Sequence, residues 1–172
     1  MIDANRIREL IPHAGTMCLL ENVVELDDTS ISCETCSHLD PRNPLRHKGH
    51  LSSLCGIEYA AQAMALHGAL RSGALKTSAL RSGALETSAL RPGAFEARDD
   101  RGQPSAPVPA RHGFLASVRD TRISRPYMDD LNRPLTVNAA LEFDDASRVI
   151  YAFSVVAGGI PLISGRAAVV LG

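Results

Sequence analysis

Residues 49–65 read "GHLSSLCGIEYAAQAMA", and from residue 51 to about residue 70 the chain is rich in Ala, Leu, Met, Gln and Glu, which lose little on entering a helix. Ser52 or Ser53 suits the first turn. The segment is apolar nearly all round, which predicts a buried helix. One carboxylate, Glu58, breaks the run, and Gln62 falls one helical turn later on the same face. The charged form of a carboxyl is disfavoured in an apolar wall, so Glu58 has the surroundings of a proton donor.

Strand patterns flank this helix. Upstream, Asp3 is placed to cap a short helix "ANRIRELI", and "TMCLLENVVELDD" reads as a strand closed by Asp27 and Asp28. "TSISCETCSHL" then alternates, with Ile31, Cys33 and Thr35 on one face and Ser32, Glu34 and Cys36 on the other. The two strands pair as a hairpin. Residues 39–50, with two prolines and a glycine, are loop. Downstream come four more strand-like segments, with turns marked by Asp144, Asp145 and Ser147 and by Gly158 and Gly159. Two strands, one long buried helix and four strands predict an α+β fold, an antiparallel sheet wrapped around the helix.

Between helix and final strands lies a peculiarity. "ALRSGALKTS", "ALRSGALETS" and "ALRPGAFEAR" repeat with a period of ten over residues 69–98. Leucines five residues apart build no continuous helical face, and each unit holds a glycine. The expectation is one domain over residues 1–172, with residues 71–110 a flexible insertion.

Bulk composition narrows the function classes. The N-terminus is charged at Asp3, Arg6, Arg8 and Glu9, unlike a signal peptide, and no apolar run approaches membrane-spanning length, so the expected compartment is the cytoplasm. Net charge is −1, but ten of the eighteen Lys and Arg fall within residues 71–125 against five of the nineteen acids. That basic stretch suits an anionic partner, although no nucleic-acid motif accompanies it. Four cysteines are too few for a disulfide framework, and "CETC" is only half a zinc site, so no metal is expected.

With the order of elements in place, the chain resembles the hotdog-fold β-hydroxyacyl-acyl-carrier-protein dehydratases. "LIPHAGTMCLLENVVEL" is similar to that family's opening, with its Pro-His pair, and "GIEYAAQAMA" to its central helix, in which an acid is followed four positions later by Gln. Within the family it is most similar to the dehydratase-like proteins of aryl polyene pathways. The resemblance implies dehydration of a β-hydroxyacyl thioester on acyl carrier protein to a trans-enoyl thioester, with no cofactor. It also implies a dimer, or a larger assembly with another hotdog protein.

In such enzymes a histidine in the loop before the helix removes the α-proton and the helix acid protonates the departing hydroxyl. Glu58 matches the acid. The family places the histidine fourteen residues before the acid, where this chain has Pro44 beside Asn43, so the expected base is His50, with His47 in reserve. Asn43 and Gln62 are candidate substrate contacts. Ser53 and Gly56, at the helix start, are candidates to present backbone N–H groups to the thioester oxygen. Arg119, Arg122 and Arg125 are candidates for the phosphate of a pantetheine arm or for the carrier's acidic surface. Two rival readings are a noncatalytic hotdog subunit supporting an active partner, and an acyl thioesterase using Glu58 as base or nucleophile.

Overall fold

The computed structural model describes residues 2–81, 113–145 and 147–171. A two-residue strand β1 (Ile2–Asp3) leads into helix α1 (Ala4–Leu10), capped as expected by the Asp3 carboxylate, which accepts from the Asn5 and Arg6 amides. Strands β2 (Asn22–Leu26) and β3 (Ser30–Thr35) form the hairpin. Helix α2 (Gly56–Arg81) follows, then β4 (Gly113–Ile123), β5 (Leu135–Asp144), β6 (Arg148–Ala157) and β7 (Ile160–Leu171). All pair antiparallel in the order β1-β2-β3-β5-β6-β7-β4, and α2 packs across β3, β5, β6 and β7. This is the hotdog architecture, mixed α and β.

Strand faces sort as their alternation predicts. Ile31, Cys33 and Thr35 are buried, as are Val149, Tyr151, Phe153, Val155 and Ala157 of β6. Thr35 aside, these residues share one core with Tyr59, Ala60, Ala63, Met64 and Leu66 of α2. Helix and sheet approach closely at Gly56. A Cβ there would sit 2.5 Å from Ile163 Cγ2 and 3.3 Å from Val155 Cγ2.

Helix boundaries depart from the sequence expectation at both ends. Residues 53–55 form a 3-10 turn capped by the Ser52 hydroxyl, so α2 proper begins at Gly56. At the far end it runs past residue 70. Helix-forming Ala, Leu, Arg and Lys sustain it there, and an Arg71–Asp144 ion pair of 2.8 Å ties it to β5. Residues 71–81, expected to be insertion, therefore continue α2, and residues 82–110 of that insertion lie outside the described residues. Among the described residues no helix is long and apolar enough to cross a membrane.

Candidate functional site

The N-terminal loop brings a histidine to the helix acid. After α1 the chain makes a 3-10 turn at Gly15–Met17, entered at Gly15 with a φ of 59° that glycine adopts at no steric cost. The turn folds His13 over α2, where its Nε2 lies 3.1 Å from Glu58 Oε1. Both side chains are part-exposed, at 26% and 33%, so the pair is open to solvent on one side.

Gln62 is fully buried and fixes the arrangement. Its Oε1 accepts from the Leu19 amide at 2.9 Å, which turns its Nε2 toward Met17 O at 2.8 Å and Glu58 Oε1 at 3.0 Å. Leu19 O in turn accepts from the Thr35 and Ser37 hydroxyls. The Ser37 hydroxyl also pairs with Tyr59 OH, to which Asn43 Nδ2 donates at 2.9 Å. Burial pushes the Tyr59 phenol up to about 12 despite its Ser37 and Asn43 hydrogen bonds, so it stays neutral.

A second polar cluster braces the loop before α2. Arg46 donates to His38 O, Asp40 O and Gly49 O and pairs with Asp129 at 2.9 Å. Asp129 also accepts from the Leu51 amide. Burial alone would raise the Asp129 carboxyl, but the Leu51 amide, its own backbone and Arg46 outweigh it and hold the group below the usual carboxylate range.

These placements reassign most of the residues singled out above. His50 is exposed and closes a tight turn: the His47 and His50 backbones exchange both hydrogen bonds around Lys48 and Gly49, which have positive φ. Its ring rests 4.8 Å from that of Tyr127. The histidine that meets Glu58 is His13. Asn43 is buried and spends its amide on the fold, its Nδ2 reaching Ser37 O and Tyr59 OH and its Oδ1 accepting from the Leu45 amide.

The backbone donors expected at the helix start are also committed. The Ser53 amide donates to Pro126 O, and the Gly56 amide to the carbonyls of Ser53 and Leu54. Gly56 serves close packing. Arg119, Arg122 and Arg125 are exposed; the register shift in the β4–β7 pairing sets Arg119 opposite Arg166 and Arg122 opposite Ser164, which puts both arginines on one face, and Arg125 lies beyond the strand's end at Ile123. His50, Asp129 and Asp130 bring ligand atoms within 4.8 Å of one another, yet both Asp129 oxygens already accept N–H donors.

His13 lies 45 residues before Glu58, so no local spacing signals the pair. The Pro12–His13 dipeptide was visible in the chain's opening, but only the folded turn shows what the imidazole touches. Residues 5–88, which contain His13, Glu58 and Gln62, match the family model ApeP-like, described as ApeP dehydratase. The matched segment, just under half of the 172 residues, is similar to that family.

Similar solved structures cover nearly the whole chain. One is a chain of the dehydratase heterocomplex ApeI:P from Xenorhabdus doucetiae, with a TM-score of 0.69 and 19% identity over 96% of this chain and 90% of that one. A mutant thioesterase from Pseudomonas aeruginosa scores 0.55 at 10% identity, covering 98% and 93%. A thioesterase-like protein from Silicibacter sp. TM1040 scores 0.56 at 10% identity, covering 100% and 93%. These likenesses show the hotdog fold. A comparison with curated protein sequences finds no match.

Proposed function

We propose that the chain removes water from a β-hydroxyacyl thioester, presented on acyl carrier protein, to give a trans-enoyl thioester. The observation that carries this reading is the His13–Glu58 contact of 3.1 Å, braced by Gln62, inside the ApeP-like segment. Dehydration moves one proton from Cα and delivers one to the hydroxyl. A solvent-open acid coupled to an imidazole is suited to that exchange. His13 replaces His50 as the histidine of the site, and Asn43, Ser53 and Gly56 become its scaffold.

The test is mass-spectrometric detection of water loss from β-hydroxyacyl carrier protein. Intact chain is expected to produce the enoyl thioester, and Glu58→Gln to lower the rate by about 10²-fold or more. Undiminished water loss in Glu58→Gln would overturn the assignment, and release of free thiol in place of the enoyl product would favour thioester hydrolysis.

The sheet supplies a place for a second hotdog chain. Helix α2 covers β3, β5, β6 and β7, whereas among the described residues β4 pairs on one edge only and is exposed along most of its length. We propose that this edge takes the partner, a copy of this chain or a related hotdog subunit, as the ApeI:P heterocomplex illustrates for its own chains.

A further inference from the structure

The family pattern divides the work between a histidine base and a carboxylic acid. The hydrogen bonds of this site point elsewhere. Gln62 cannot be turned the other way, because its Oε1 meets the Leu19 amide and its Nε2 meets Met17 O. Glu58 Oε1 is therefore an acceptor from Gln62 Nε2. An ionised carboxyl oxygen offers only lone pairs, so for the carboxylate form His13 Nε2 at 3.1 Å faces Oε1 as a second donor. With Nε2–H spent on Glu58, only Nδ1 of His13 is left to accept a proton, and Nδ1 is buried with no hydrogen-bond partner among the described residues.

The imidazole thus has no nitrogen presented to a substrate. Glu58 presents an oxygen instead: Oε2 makes no hydrogen bond among the described residues, on a side chain one-third exposed. Two N–H groups thus converge on Oε1 and leave Oε2 free to meet a substrate.

We infer that Glu58 Oε2 handles both protons of the dehydration, first as base and then as acid, with His13 a positioning residue that holds and polarises the carboxylate. This rests on the dehydratase reading above. The Cα–H bond breaks and its proton goes to Oε2, leaving an enolate of the thioester. The Cβ–O bond then breaks as Oε2 returns that proton to the departing hydroxyl, forming water and the Cα=Cβ double bond. Glu58 ends as the carboxylate it began, and no co-reactant is needed.

The experiment compares the full chain with His13→Gln, His13→Ala and Glu58→Gln, using a 3-hydroxyacyl carrier protein, water loss as readout and pH–rate profiles for each active form. Gln at position 13 can donate a hydrogen bond to Oε1 but cannot act as a base. The expected result is that His13→Gln keeps kcat within about tenfold of the intact chain, His13→Ala falls about tenfold further, and Glu58→Gln is lowest. The pH–rate profile of His13→Gln should also keep the shape of the intact chain's. A collapse of His13→Gln to the level of Glu58→Gln, with melting temperature unchanged, would overturn the inference while leaving the dehydratase reading intact. Absence of water loss from the intact chain, with or without a hotdog partner, would overturn both.

Discussion

Residues 37–51 and strand β4 reverse the usual relation between regularity and order. The first segment has almost no repeating structure, yet Arg46, Asp129, Asn43 and Tyr59 give its buried carbonyls and amides partners at close range. The second is an eleven-residue ladder with good pairing to β7, yet it leaves Phe114, Leu115 and Ile123 exposed. A segment is self-sufficient when its polar groups are satisfied and its apolar groups covered, whatever its backbone pattern.

The sharpest way to break the first half of that comparison is Arg46→Met. The pair's side chains are only 16% and 9% exposed, and removal of the guanidinium strands the Asp129 carboxylate and three carbonyls. Unfolding in urea should show a loss of about 3–5 kcal/mol. A loss below about 1 kcal/mol would mean that the loop is held by its apolar contacts instead. Gly56→Ala probes where that loop hands over to the helix. Its Cβ would collide with Ile163 and crowd Val155, both rigid in the sheet, so about 1–3 kcal/mol should be lost. An unchanged midpoint would show that α2 can slide away from β7.

How much of this was legible in advance follows from which forces are local. Alternation in β3, the Asp3 cap, the turns at Asp145 and Gly158–Gly159 and the burial of α2 are all set by near neighbours in sequence, and each appears where the pattern places it. Glu58 and Gln62 were legible for the same reason, being one turn apart on one helix. His13 was not, because its contact spans 45 residues and depends on a turn at Gly15. Asn43, Ser53 and Gly56 lie near the site, where hydrogen bonds and close packing tie them to the fold. Residue type shows what a group could donate or accept, and only the fold shows what has already claimed it.

Acid titration sharpens the comparison midway along α2. His67 is buried, its Nδ1 paired with Tyr151 OH at 2.9 Å and its Nε2 with Asp27 O at 3.0 Å, and burial lowers its pKa below the usual 6.5. His38, buried behind the Arg46 cluster, is lowered by burial as well. Because the folded state disfavours protonation of both, stability is fully present above pH 6.5. It is lost as pH falls from there toward the folded pKa values. His67→Gln should reduce that slope without abolishing it, since His38 still titrates. Equal slopes in both proteins, measured by unfolding at a series of pH values, would remove His67 from the account.

The smallest effect on folding belongs to β4, and it is the most informative about partners. Phe114 is 66% exposed and lies across from Val170 near the start of the edge strand. Nothing in the described chain covers its ring, so Phe114→Lys should change unfolding free energy by no more than about 0.5 kcal/mol. A lysine on an open strand edge nonetheless opposes pairing with another chain, through both its charge and the loss of apolar surface. If β4 is completed by a second hotdog subunit, sedimentation should show the assembly shifting toward the single chain while the melting curve barely moves. A large loss of stability with assembly intact would place Phe114 in the core of its own subunit. Unchanged mass and unchanged stability would direct the search for the partner to another face. Only the first outcome agrees with a strand that is regular in its backbone and unfinished in its burial.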